Sequence, residues 1–165
     1  MQFREATLDD VQEIVELINV AYRGKEGWTT ENALVDGDRT TSNEVLRYLY
    51  DPKSHLFVLV ENSVKAVICV EEQNSCAYIG FFAVNPNMQG KGVGKVVLQK
   101  AEEFAVENLG VKEFVMSVLV DRVELVDFYI RRGYLPTNEI KEYPKGLNIG
   151  TPKQELKVIT LKKVL

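Results

Sequence analysis

Side chains suited to metal and redox chemistry are scarce. The 165 residues hold two cysteines, Cys69 and Cys76, and one histidine, His55. The cysteines lack CxxC spacing, and one histidine makes no ligand cluster. A zinc site, a disulfide framework and a Cys–His redox centre are therefore not expected; both cysteines read as small strand residues. Long apolar runs are also missing, and none approaches the ~20 residues that span a bilayer, so no membrane partner is expected. The opening Met1-Gln2-Phe3-Arg4-Glu5 has no basic region followed by an apolar one, unlike a signal peptide. Positive charge is not in excess. Lys and Arg number 20 against 24 Asp and Glu, a net charge of −4, whereas a nucleic-acid binder is ordinarily basic. Repeats, low-complexity tracts and linkers are absent. The expectation is one cytosolic domain over residues 1–165, monomeric or homodimeric.

Alternating short strands and helices fill the chain. Gln2 to Ala6 reads as a strand. Thr7-Leu8-Asp9-Asp10 reads as a helix start, with Thr7 as cap. Val11, Ile14, Val15, Leu17, Ile18 and Tyr22 then recur at helical spacing. Residues 23 to 40 lose that period and read as a long loop. Thr41 to Tyr50 forms a second helix, stopped by Asp51-Pro52. Leu56 to Glu61, Val64 to Gln73 and Cys76 to Val84 read as an antiparallel series turned at Asn62-Ser63 and Asn74-Ser75. A helix follows, with Val93, Val96, Val97, Ala101, Phe104, Ala105 and Leu109 as its buried stripe and Gly110 as its stop. Glu113 to Leu119 is a strand, Val123 to Arg132 a helix, and Tyr134 onward and Leu156 to Leu161 closing strands. A strand series followed by a strand–helix–strand unit predicts an α+β fold, with helices against a mixed sheet.

The most informative stretch joins the third strand of that series to the next helix: Val84-Asn85-Pro86-Asn87-Met88-Gln89-Gly90-Lys91-Gly92-Val93-Gly94-Lys95. Glycine lets backbone amides approach a ligand closely. Amides at a helix start lack internal partners and lie at the positive end of the dipole, which suits phosphate oxygens. Charge placement agrees. Gln73 to Ala101 holds no acid but carries Lys91, Lys95 and Lys100, a local +3 within a protein of −4. A nucleotide-hydrolysing P-loop does not fit, because Gln89 stands where its first glycine belongs and Val96 where its magnesium-binding hydroxyl belongs. The dinucleotide fingerprint fails too, because Lys95 replaces its last glycine. A plain connecting turn remains the alternative.

This stretch resembles the signature of the GNAT family of acyl-CoA-dependent N-acetyltransferases, [QR]-x-x-G-x-[GA] after Val-x-Pro. Phe128-Tyr129-Ile130-Arg131-Arg132-Gly133-Tyr134 resembles a second signature, an aromatic-Tyr pair on a late helix before Gly-[FY]. The resemblance implies a mostly antiparallel sheet of six to seven strands with about four helices, splayed at a cofactor slot. It implies acetyl-CoA as cosubstrate and no metal. The backbone of Phe82, Ala83 and Val84 would bind the pantetheine arm. Amides of Gln89, Gly90, Lys91, Gly92, Val93 and Gly94, with Lys95 beside them, would hold the diphosphate. Tyr129 would protonate the departing sulfur.

Departures from the family pattern bear on the rest. Arg122 stands where relatives usually carry a cofactor-holding Asn, and is the candidate for a phosphate contact. Ser117 stands where relatives that act on protein N-termini often carry a Glu base. Glu72 is the candidate base in its place, reaching through a water; Glu71 and Glu72 point to opposite faces of their strand, and a solvated surface pair is the competing reading. His55 reads as structural. Trp28 and Thr29, in the loop Gly24 to Thr30, are the candidate acceptor contacts, together with the stretch Glu139 to Pro152. The expected function is acetyl transfer to a primary amine of a small molecule or peptide. The alternative is a catalytically weak acyl-CoA-binding module that regulates a protein partner.

Overall fold

The computed structural model describes residues 1–24, 31, 35–143, 150–153 and 155–165. Among them the order is β1 (Gln2–Glu5), α1 (Val11–Arg23), β2 (Val35–Asp36), α2 (Ser42–Tyr50), β3 (Ser54–Glu61), β4 (Ser63–Gln73) and β5 (Cys76–Val84). Then come α3 (Val93–Phe104), β6 (Glu113–Leu119), α4 (Val123–Arg131), β7 (Leu135–Glu142), β8 (Thr151–Pro152) and β9 (Lys157–Val164). Seven strands make one open sheet, ordered β1-β3-β4-β5-β6-β9-β7, and β2 pairs β8 separately. Pairing in the large sheet is antiparallel except between β5 and β6. This is the expected mixed α+β sheet with four helices.

Periodicity explains the layers. Ile14, Leu17, Ile18 and Ala21 recur at i, i+3, i+4 and i+7 along α1. With Val45 of α2 they bury one sheet face, against Val67, Cys69, Phe81 and Ala83. On the other face, Val97, Leu98 and Ala101 of α3 and Tyr129 of α4 cover Ile68, Val70, Ile79 and Met116. The central strand β4 is therefore buried on both sides. Each helix end has a local cause. The Thr41 hydroxyl accepts from the Glu44 amide at 3.3 Å to start α2. Ahead of α1, Thr7 and Asp10 form the expected capping box: the Asp10 carboxylate accepts from the Thr7 amide at 2.8 Å and pairs with Arg4 through both oxygens. Gly133, at φ +99°, ends the α4 segment.

Three readings are corrected. Val96 is 46% exposed, and Leu98 takes its place in the buried stripe of α3. The α-helix stops at Phe104, and a π-helical turn carries the chain through Ala105–Leu109. Within residues 23–40, Val35 and Asp36 form the ladder with Thr151 and Pro152.

The sheet opens in its middle. β5 and β6 pair only at Ala77↔Phe114 and Tyr78↔Val115, then part. A bulge accompanies the parting. Cys69 faces Gly80 while Val67 faces Ala83, so β5 carries one residue more than β4. Phe81 absorbs it in a left-handed conformation, φ 51°. Ala77 and Ile79 face α3 and α4, but Phe81 turns to the α1 side and Phe82 takes up the other face.

Candidate active site

Two adjoining cavities flank this opening. The first, about 750 Å³, is lined by Phe82, Ala83 and Val84, by the glycine loop, and by one side of α4. The second, about 330 Å³, lies between the diverging ends of β5 and β6 and reaches Tyr48, Glu71 and Tyr143. Tyr22, Phe82, Arg122, Leu125 and Tyr129 line both.

The glycine loop forms an amide cradle. Gly90 and Gly92 take φ of +80° and +77°, and a Cβ at either would meet nothing within 4 Å. Backbone conformation, not crowding, therefore calls for glycine there. The Met88 amide donates to Asn85, the Gln89 amide to Pro86 and the Val96 amide to Gly92. Between them, the amides of Gly90 through Lys95 find no acceptor among the described residues. They open the 12-residue helix α3 at its positive end. Gln89 ties the loop down, its side-chain amide donating to the Val84 carbonyl at 3.1 Å. Lys95, Arg122, Arg131 and Arg132 line this cavity, and no carboxylate appears among its described lining residues. Arg131 and Arg132 were legible only as part of the Phe128 to Tyr134 motif. Their charge was the missed signal.

Beside the cradle, β5 presents an open edge. The Asn85 amide donates to Lys65 on β4. Antiparallel alternation then turns the backbone groups of Val84 and Phe82 the other way, into the opening. Both of their carbonyls are occupied, Val84 by Gln89 and Phe82 by the Tyr22 hydroxyl at 2.9 Å. The same alternation directs their N–H groups into the opening.

Tyr129 stands where the cavities meet. It is buried, and no described residue hydrogen-bonds its hydroxyl. Burial, with Tyr22 and Tyr78 nearby, raises its pKa well above that of an ordinary tyrosine, outweighing the opposite pull of Arg122. Tyr134 fixes the helix that carries it. Wholly buried, Tyr134 donates to Glu102 of α3 at 2.7 Å and meets the Tyr129 ring edge-on at 6.0 Å.

The remaining candidates separate. Glu72 lines neither cavity; its carboxylate is 2.9 Å from His55 Nε2, and the His55 ring packs on Phe104 on the α3 face. Glu71 is the member of the pair that faces the second cavity. Arg122 is buried at the start of α4 and pairs with Glu31 at 3.4 Å. Glu31 in turn holds Arg23 at 2.9 Å, and Arg23 donates to the Tyr143 hydroxyl. Arg122 thus belongs to an ion network between the cavities, an arrangement no local motif announces. Ser117 lines the second cavity. Trp28, Thr29 and residues 144–149 lie outside the described residues. Among the described residues, no three His, Cys, Asp or Glu gather to hold a metal, and no helix is long and apolar enough to cross a membrane.

Residues 11–134 match the model of the Acetyltransferase (GNAT) family. No curated protein matches the chain. Solved structures do. A variant of the spermidine N-acetyltransferase from Vibrio cholerae is 16% identical with a TM-score of 0.71, over 99% of this chain and 95% of that one. The ribosomal-protein-alanine N-acetyltransferase from Brucella melitensis is 15% identical with a TM-score of 0.73, over the whole of both. The IAA acetyltransferase from Bacillus cereus is 18% identical with a TM-score of 0.67, over 99% of both. At such identities the likeness carries the fold, while the acceptors in those names differ from one to the next.

Proposed function

The chain belongs to the acetyltransferase (GNAT) family, and we propose that it moves an acetyl group from acetyl-CoA to a primary amine of a small molecule or peptide. The observation that carries this reading is the convergence of amide cradle, open β5 edge and Tyr129 on one opening. Bound acetyl-CoA supplies an acetyl thioester. Amides of Gly90 to Lys95 would hold its diphosphate, with Lys95, Arg131 and Arg132 adding positive charge. The N–H groups of Phe82 and Val84 would hold the pantetheine arm and the acetyl oxygen, where backbone donors stabilise developing negative charge.

In the transfer, a nitrogen–carbon bond forms as the carbon–sulfur bond breaks. The amine gives up a proton on the Glu71 side, and the sulfur receives one from the Tyr129 hydroxyl. Its raised pKa keeps Tyr129 protonated through neutral and mildly alkaline pH, the state a proton donor needs. Supporting a primary amine, the N-acetyltransferases of the same fold are named for polyamine and protein-alanine acceptors.

Tyr129→Phe tests the assignment. Turnover is expected to fall by about 10²–10⁴-fold, the usual weight of a positioned acid, with acetyl-CoA affinity retained. Unchanged turnover would remove Tyr129 from the chemistry. Tight acetyl-CoA binding without thiol release from any amine would instead favour the regulatory module.

A further inference from the structure

We infer that the acceptor carries an acid group as well as its amine. The geometry points to an amino acid or aminophosphonate, its acid group held by Arg39 beside Arg122 and its ammonium by Glu71. This rests on the acetyl-transfer reading above and names the substrate class for that site.

The second cavity is lined by ionised groups of both signs. Arg39 lies at one part of it, its side chain 19% exposed. Its guanidinium sits 5.4 Å from the Tyr22 ring centre and 5.6 Å from that of Phe81. Arg122 lies over the same Tyr22 ring at 5.3 Å. Two cations thus share one aromatic face-partner at the cavity wall.

Arg39 is only partly satisfied. A guanidinium has five N–H donors. Among the described residues, this side chain makes one hydrogen bond, from Nη1 to Glu44 Oε1 at 3.3 Å. That oxygen already accepts from the Thr40 hydroxyl at 2.6 Å. Arg39 lines the cavity, and a guanidinium with donors to spare suits a carboxylate or phosphonate.

Glu71 is the complementary group. It lines the same cavity, and its carboxylate forms no hydrogen bond or ion pair among the described residues. It stands opposite Tyr78 in the β4–β5 register. A Cβ on Gly80 would come within 3.1 Å of the Tyr78 ring, so glycine there lets that ring lie along the strand. Tyr78 belongs to the electrostatic surroundings of Tyr129. Glu71 and the proton donor Tyr129 line the same cavity.

Arg39, bridged through one nitrogen to Glu44, and the half-buried Glu71 share this aromatic-walled chamber without pairing to each other. A ligand with both charges satisfies both ends. The chamber, about 330 Å³, is at the low end of roughly 300–1,000 Å³ for small-molecule sites. It suits a free amino acid better than a folded protein surface.

The test is calorimetric, on the full chain saturated with CoA, with matched ligands. Lysine is set against cadaverine, tyrosine against tyramine, 4-aminobutyrate against butylamine, and 3-aminopropylphosphonate against propylamine. At least one acid-bearing ligand is expected to bind more tightly than its acid-free partner by about tenfold or more. Arg39→Gln is expected to abolish that difference while CoA affinity stays unchanged, which also reports an intact fold. Glu71→Gln is expected to weaken the amine ligand and spare its N-acetylated form, which has no ammonium. Equal or tighter binding of every acid-free partner, or no binding by any acid-bearing ligand, overturns the inference. Thiol release from acetyl-CoA with a polyamine or peptide would then still uphold acetyl transfer, so the two failures are distinct.

Discussion

The Tyr22 hydroxyl donates to the Phe82 carbonyl at 2.9 Å, joining α1 to the bulge of β5 at the edge of the opening. The bond satisfies a carbonyl that faces the opening and not β4. Tyr22→Phe leaves that acceptor unpaired, a loss of about 1–2 kcal/mol. For a domain of this size, thermal unfolding should then shift down by roughly 2–8 °C. Turnover should fall as well, because the β5 edge that carries the Phe82 amide loses this anchor to α1. Scanning calorimetry and thiol release check both, and an unchanged melting temperature would remove the bond from the account.

The glycine loop is expected to separate conformation from ligand access. Gly92 has φ +77° and open space where a Cβ would stand. Gly92→Ala strains the left-handed backbone by about 1–2 kcal/mol. Gly92→Asn relieves much of that strain, because Asn tolerates the conformation, yet fills the cradle. The Asn variant should melt closer to the wild type while binding CoA about tenfold or more weakly. Equal CoA affinity in the Asn variant would place the diphosphate elsewhere.

Alkaline pH should loosen the fold through groups beside the second cavity. Burial pushes the Cys69 thiol from 9.0 up to about 12, with Glu71 adding to the shift. It pushes the Tyr48 hydroxyl from 10.0 up to about 12, with Glu44 adding. The folded state keeps both neutral while the unfolded chain ionises, so binding fewer protons favours unfolding as pH rises. This stability is full below pH 9 and lost progressively toward pH 12. Cys69→Ala should flatten the decline between about pH 9 and 10, where the thiol acts before the tyrosines. Denaturant midpoints measured across that range check it; an unaltered slope would contradict it.

The two carboxylates at the end of β4 give a direct comparison. Glu71 faces the second cavity, and Glu72 faces His55 on the opposite side. Glu71→Gln should lower kcat/KM by about tenfold or more, whereas Glu72→Gln should leave it within about twofold. The reverse result would restore Glu72 as the base.

Most of the scaffold is written in local signals. Asn85-Pro86 ends β5, Gly92 starts α3, Gly110 stops the helical segment and Gly133 closes α4, so those bounds follow from residue chemistry alone. The anion cradle is legible for the same reason, as glycines and an acid-free stretch lie together in the chain. The bulge is not. Phe81 adopts a positive φ against its own preference, set by the bulge and by packing beside Tyr48 and Arg39. The two-residue ladder of β2 and β8 is too short to leave a periodic trace. The choice between Glu71 and Glu72 depends on which face the opening occupies, and Arg39, Glu31 and Arg122 meet only in three dimensions.

Titration of the protein with CoA and, separately, with pantetheine is the most direct measurement of diphosphate capture by residues 90–95. CoA should bind with measurable heat and compete with acetyl-CoA, and pantetheine, which lacks the diphosphate, should bind about a hundredfold or more weakly. Equal affinities for the two, or no heat with CoA, would contradict it.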